Sequence, residues 1–427
     1  MTEGRRPKDM ETHIGNHKLD PSTLMMGYGF DPGLSEGSLK PPIFLTSTFV
    51  FETAADGKRF FEGITNKHGS GGKAEGLVYG RFNAPNQEIL EDRLKIWEDA
   101  EASLTFSSGM TAIAILLLTF VRPGDVIVHS GPLYAATETI INKILTQFGV
   151  QYVDFPAGAS REELDVVLER AKAKGRVAMI YLESPANPTN ALVDVEAVVA
   201  ARAAAFEGEL PPIAIDNTFL GPLWAKPLNQ GADISVYSLT KYAGGHSDLV
   251  AGGLVGKRAL LDKVRLMRNV MGGICDPNTA WMLMRSLETL ELRMDRAGES
   301  AKQVCTFLRD HPKVESVGYL GFLEEGSRQA DIYRRHCSGA GSTFSLYLKG
   351  GEREAFAFLD ALKIANLAVS LGGTETLASA PAAMTHLSVP DERKAALGIS
   401  DNLVRVSIGV EKAEDLIADF DNALRAV

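Results

Sequence analysis

Cysteine is scarce in this sequence. The three present, Cys275, Cys305 and Cys337, form no CxxC and have no histidine nearby at ligand spacing, which excludes a disulfide framework and a zinc site built on them. A reducing, cytoplasmic setting is the expectation. An excess of positive charge is also missing, since 44 Lys and Arg stand against 54 Asp and Glu, a net charge of −10. Phosphate backbones are gripped by clustered basic side chains, so nucleic acid is not the expected partner and a small molecule is. The longest apolar run, AIAILLLTFV at 112–121, is far short of the ~20 residues of a membrane span. It reads as a buried helix, with no membrane role. The opening MTEGRRPKDMETHIGNHK carries charge but lacks the apolar core of a secretory signal, and no internal repeat is visible.

At 427 residues the chain exceeds what one core supports, so two or more domains are expected. Residues 1–83 are rich in Gly, Pro and polar residues and read as an extended arm, with GSGGKAEG at 69–76 as a mobile loop. From 84 to 285 short apolar runs alternate with amphipathic stretches: VIVH after the turn signal RPGD, VAMIYLE at 177–183, PIAIDNTF at 212–219, then ISVYSL. Between two of these, Ser160 and Glu163 form a capping box ahead of Leu164, Val167, Leu168 and Ala171 at helical spacing. Strands alternating with such helices imply an α/β fold on a mostly parallel sheet. Leu283, Leu287, Leu290 and Met294 continue as helix into a smaller α+β domain over 286–427, with a strand at FSLYL and a last helix carrying Leu416, Ile417, Phe420 and Leu424 on one face.

Ligands of open parallel sheets gather beyond the carboxyl ends of the strands, and four such ends here carry unusual polar residues. SSGMTAI at 107–113 places Ser108, Gly109 and Met110 before a helix, which suits a phosphate and equally suits a plain cap. Asp216 closes an apolar strand and could serve the following turn. Lys241 comes twenty-five residues later, the length of one strand–helix–strand unit, so both can meet at one sheet edge; a surface lysine is the alternative. In YLESPANPT, Asn187 stands inside a double-proline turn, as a turn residue or a ligand contact. Ser238 and Thr240 alternate with Leu239 and would face one side. A lysine, a carboxylate and anion-binding hydroxyls together describe pyridoxal 5′-phosphate chemistry, with the lysine as Schiff-base former and the carboxylate holding the pyridine nitrogen protonated. Dinucleotide and P-loop readings fail: AGGLVG lacks the GxGxxG spacing, and Lys73 in GSGGKA is followed by Ala.

VYGRFNAPNQEILEDRLKIWE, SSGMTAI, GPLYAATE, ESPANPT, DNTFLGPL, SVYSLTKYAGGHSDLVAG, VSLGGTETL and DNLVRVSIGVE, in this order, resemble the trans-sulfuration family of cystathionine γ-synthases, cystathionine γ-lyases and methionine γ-lyases over about residues 40–425. The resemblance implies the aspartate-aminotransferase-like fold of pyridoxal phosphate enzymes (fold type I) and a homotetramer built from two dimers. It further implies that Lys241 carries the cofactor, that Asp216 pairs with its pyridinium, and that Gly109, Met110, Ser238 and Thr240 cradle its phosphate. Tyr134 would stack on the ring and donate a proton to the departing sulfur. Tyr79 and Arg81, on the arm, would reach the cofactor phosphate of a neighbouring subunit. Arg405 with Ser370 would clamp the α-carboxylate of an amino-acid substrate.

Members that bind the distal end of cystathionine resemble one another in an Arg five positions after the stacking tyrosine and an acidic residue before the clamp serine; here Thr139 and Val369 stand there. An uncharged distal end is implied. Methionine γ-lyases often carry Cys two positions after that tyrosine, where this chain has Ala136. The expected reaction is γ-elimination from methionine-like amino acids to 2-oxobutanoate, ammonia and a thiol. The alternative is a γ-replacement synthase joining an activated homoserine to a thiol. The joint presence of Lys241, Asp216, Tyr134 and Arg405 argues against an inactive scaffold.

Overall fold

A computed structural model describes residues 11–65, 76–387 and 389–427. Its centre is a seven-stranded sheet built from β1 (Ala102–Phe106), β2 (Val126–Gly131), β3 (Gln151–Pro156), β4 (Val177–Glu183), β5 (Ile213–Asp216), β6 (Ile234–Ser238) and β7 (Gly252–Gly256), in the spatial order β1-β7-β6-β5-β4-β2-β3. Strands β2 to β6 are mutually parallel; β7 alone runs against its neighbours β1 and β6. Apart from the edge strand β3 and the last residue of β6, these strands are buried along their whole length, which is why they read as continuous apolar runs.

Helices cover both faces. On one, the helix Gly109–Phe120 packs Ile113, Leu116 and Leu117 with Leu261 and Val264 of the helix Arg258–Met271. On the other, the helix Arg161–Lys174 presents Leu164, Val167, Leu168 and Ala171, and its capping box forms as the spacing requires, Ser160 Oγ accepting from the Glu163 N–H at 3.2 Å.

A five-stranded sheet follows, from β8 (Val314–Gly318), β9 (Thr343–Leu348), β10 (Asn366–Leu367), β11 (Leu377–Ser379) and β12 (Leu403–Ser407), ordered β8-β9-β12-β11-β10. The helix Ala413–Leu424 seals it with Leu416, Phe420 and Leu424, Ile417 being only partly buried.

Three local expectations are corrected. The segment between Asp216 and Ile234 contains no crossover α-helix; it is a run of turns ending in the single 3-10 turn Pro227–Gln230. Pro222 and Pro227 remove two N–H donors, and a Cβ on Gly221 would lie 2.2 Å from Asn217 Nδ2, so the chain is committed to tight turns. The helical pattern through Leu283–Met294 is two helices, Pro277–Leu287 and Leu290–Arg309, although all four of its apolar residues are buried. Arg293 braces the break by donating to Ser286 O at 2.8 Å, a carbonyl that also accepts from the Thr289 N–H at 3.2 Å. The arm holds a helix, Ala54–Thr65, whose start is set by Thr53 and Asp56 bonding each other's backbone N–H. The loop read at 69–76 lies outside the described residues except for Gly76.

Candidate active site

The carboxyl ends of β1, β2, β4, β5 and β6 all open on one side of the sheet, and a cavity of about 300 Å³ lies against them, closed from the other side by residues 369–371, Thr385 and Arg405. Ten of the twelve residues singled out above line it: Gly109, Met110, Tyr134, Asn187, Asp216, Ser238, Thr240, Lys241, Ser370 and Arg405. Tyr79 and Arg81 do not. Arg81 donates to Asn269 O and its guanidinium lies over the Phe82 ring, 4.8 Å from the centroid, while Tyr79 is 40% exposed.

Lys241 sits three residues beyond the end of β6, in a tight turn where its N–H donates to Ser238 O at 3.1 Å and its carbonyl accepts from Gly245 N–H at 2.7 Å. The side chain turns back into the cavity and Nζ donates to Ser370 Oγ at 2.7 Å. Burial, and then the nearby Arg405 guanidinium, bring the ammonium pKa down from 10.5 to about 8.

Asp216, the last residue of β5, accepts from the Thr218 N–H at 3.1 Å and the Thr218 hydroxyl at 2.6 Å through one oxygen. Burial raises its pKa to about 6 against the pull of both bonds. Directly opposite on β4 stands Glu183, a second buried carboxyl. Its Oε2 accepts from the Tyr134 N–H at 2.7 Å and its Oε1 from the Asn187 N–H at 3.1 Å. Desolvation, with Asp216 beside it, pushes its pKa well above the carboxylate range.

Arg405, on β12, is almost fully buried. It donates through Nη2 to Val369 O and Ser370 O, both at 2.9 Å, and through Nη1 to Asn187 Oδ1 at 3.2 Å. Among the described residues its buried Nε–H has no acceptor. Burial brings the guanidinium pKa down to about 10, so it stays charged at neutral pH.

At the opposite end of the cavity Ser108 Oγ caps the helix Gly109–Phe120 by accepting from the Thr111 N–H at 3.0 Å, leaving the N–H groups of Gly109 and Met110 without intrahelical acceptors. Gly109 has to be small: a Cβ there would stand 3.1 Å from Ser238 Cβ. Thr240 Oγ1 exchanges bonds with Ala251, at 3.2 Å to its carbonyl and 3.0 Å from its N–H.

Sequence reasoning missed Glu183, Thr218 and Thr385. Glu183 had the same signal that singled out Asp216, an acid closing an apolar strand. Thr218 and Thr385 sit in loops and had none. Of the positions read as setting specificity, Val369 lines the cavity; Ala136 and Thr139 line an adjoining groove that shares Met110 with it.

Comparison with known proteins agrees with this architecture. A family model described as Cys/Met metabolism PLP-dependent enzyme matches residues 22–425. An L-methionine gamma-lyase of Pseudomonas deceptionensis is 38% identical over 410 residues, covering 95% of this chain and 97% of that protein. A cystathionine gamma-lyase of Bacillus subtilis is 35% identical, with 96% and 100% covered. The crystal structure of a cystathionine gamma synthase from Xanthomonas oryzae pv. oryzae, in complex with aminoacrylate and cysteine, superposes with a TM-score of 0.84 at 31% identity, covering 96% of this chain and 98% of that one. With a fold of this kind, a lysine and a carboxylate at one sheet edge, and a family match across nearly its whole length, the chain belongs to the Cys/Met metabolism family of PLP-dependent enzymes.

Proposed function

We propose that the protein catalyses γ-elimination from methionine-like amino acids, yielding 2-oxobutanoate, ammonia and a thiol. The observation that carries this reading is the placement of Lys241 Nζ, 2.7 Å from Ser370 Oγ, in one cavity with Asp216 and the buried Arg405.

The groups present fit pyridoxal phosphate. Asp216 is a buried carboxyl with no ion-pair partner among the described residues, as a pyridinium partner should be. The paired first N–H groups at Gly109 and Met110, with the Ser238 hydroxyl, suit a phosphate, and the Thr240 hydroxyl would join them on turning from Ala251 O. When bound, the cofactor supplies an electron-withdrawing ring that stabilises negative charge on the substrate carbon. The chain's residues do the rest. Arg405 Nε–H, lacking an acceptor, would receive the substrate carboxylate, with Ser370 beside it. Lys241, with its lowered pKa, would move protons at the substrate's α and β carbons. Tyr134, which lines the cavity and whose main chain is held by Glu183, would protonate the departing sulfur. Val369 and Val250 at the mouth present apolar surface and no charge, which suits a methylthio end over an amino-acid end.

Tyr79 and Arg81 support a site completed between subunits, since both lie outside the cavity of their own chain; the assembly would be a homotetramer of two dimers, in the cytoplasm. Under the same reading residues 1–83 are the arm, 84–285 the cofactor-binding domain and 286–427 the smaller domain. Replacement chemistry is the second reading, favoured by the likeness to a cystathionine gamma synthase. Among the described residues no helix is long and apolar enough to cross a membrane.

One assay separates the two reactions: keto-acid release from methionine, cystathionine and O-acetylhomoserine, with and without cysteine. Release of 2-oxobutanoate from methionine alone is the expected result. Thioether formation from acetylhomoserine and cysteine, with none released from methionine, would refute the lyase reading.

A further inference from the structure

Glu183 makes contacts that the proposed chemistry uses only at Tyr134. Its two carboxyl oxygens accept from different segments of the cavity wall: Oε2 from the N–H of Tyr134, in the loop after β2, and Oε1 from the N–H of Asn187, in the turn after β4. Asn187 in turn accepts from Arg405 Nη1 at 3.2 Å through its side-chain oxygen, across to the second sheet. Glu183 is itself fixed, since its own N–H donates to Ser130 Oγ at 3.0 Å and its Cα stands in register with Asp216. Both carboxyl oxygens thus act as acceptors, and each meets a main-chain donor with no other acceptor among the described residues. Leaving either N–H unpaired would be costly, most of all at the buried Asn187, so the two segments move with the carboxyl.

Resting on the reading above, we infer that Glu183 is a positioning residue that ties the aromatic wall at Tyr134 to the carboxylate clamp at Arg405, through Asn187, so that one side chain sets the spacing between the ring-facing and carboxylate-binding parts of the site. It touches neither substrate nor cofactor in this role. The consequence is selective: loss of Glu183 should weaken binding of ligands that use Arg405 and spare those that do not.

L-Norleucine, which carries a methylene where methionine has sulfur and has no γ group to expel, reports the first class. Pentylamine, the same chain without the carboxylate, reports the second. Both are titrated against the cofactor-loaded protein by the change in its visible spectrum, and pyridoxal phosphate retention is measured separately by dialysis. In Glu183→Ala the apparent Kd for norleucine should rise about tenfold or more, and that for pentylamine by less than about threefold. In an Asn187→Ala background the same change should add no more than about twofold for norleucine, because the link to Arg405 is already cut. Equal factors in both backgrounds, or equal weakening of the two ligands, would overturn the inference. Should Glu183→Ala not fold, Asn187→Ala alone decides it, since weakening of norleucine alone is required and a matching loss for pentylamine refutes it. The proposed reaction is judged separately: no keto acid from methionine in the wild-type protein, with the norleucine pattern intact, sinks the lyase reading and leaves this one standing.

Discussion

The lowered pKa of Lys241 can be tested before any turnover is measured, through the rate at which the empty protein takes up its cofactor. Only a neutral amine attacks an aldehyde. With an ordinary lysine pKa of 10.5 roughly one amine in 3,000 is neutral at about pH 7, whereas a pKa of about 8 leaves roughly one in eleven. The causes are physical and ordered: burial in the cavity first, then the charge of Arg405, which is held in place by Val369, Ser370 and Asn187. The second-order rate of pyridoxal phosphate attachment, followed by stopped-flow absorbance on the apoprotein, should therefore rise about tenfold between about pH 7 and pH 9 and then level. An ordinary lysine would give about a hundredfold rise over the same interval with no plateau. Replacing Arg405 by Gln removes the smaller cause, so the midpoint should move upward but stay below 10.5. A midpoint at or above that of free lysine, or one that moves downward in Arg405→Gln, would refute the reasoning.

Lys241→Ala should abolish the borohydride-sensitive visible band and reduce keto-acid release by at least about a thousandfold; near-normal activity would remove the assignment. Arg405→Lys keeps a charge but cannot serve Val369 O, Ser370 O and Asn187 Oδ1 together with a substrate carboxylate, so KM for the amino acid should rise about tenfold to a hundredfold with a smaller change in kcat. Asp216 has a folded pKa raised toward 6, so the empty protein holds that proton more tightly than the unfolded chain does and loses stability as pH rises from about 4 to 6. Asp216→Asn removes this contribution, and its apoprotein Tm should fall by a few degrees less than wild type across that window, a difference absent from the outcome if the carboxyl is solvated. Arg81→Ala mixed with Lys241→Ala should recover part of the activity through hybrid dimers, and no recovery at any mixing ratio would place Arg81 outside the neighbouring site.

Much of the site was legible in the order of residues because its parts lie at the ends of continuous apolar strands. VAMIYLE and AIDNTF announce buried parallel strands by lacking alternation, and a charged residue at such an end draws attention even where, as at Asp216, it also serves the following turn. The Ser160 capping box and the four-residue apolar face behind it are local, decided within one turn of helix. Family likeness carried the rest, placing Arg405 and Ser370 in motifs whose composition alone says little.

Tertiary structure alone decided what depends on segments far apart in the chain. Glu183 matters because β4 and β5 align it with Asp216 while two loops, one at Tyr134 and one at Asn187, bring their N–H groups to its oxygens. Among the described residues the Nε–H of Arg405 is left without a partner while acceptors from residues 187, 369 and 370 hold three of its four other N–H donors. The lysine's acidity is likewise a property of the cavity, arising from burial and a charge 164 positions further along. A residue's type and its near neighbours determine local conformation; desolvation, register across a sheet and long-range hydrogen bonds arise only when the chain has closed on itself.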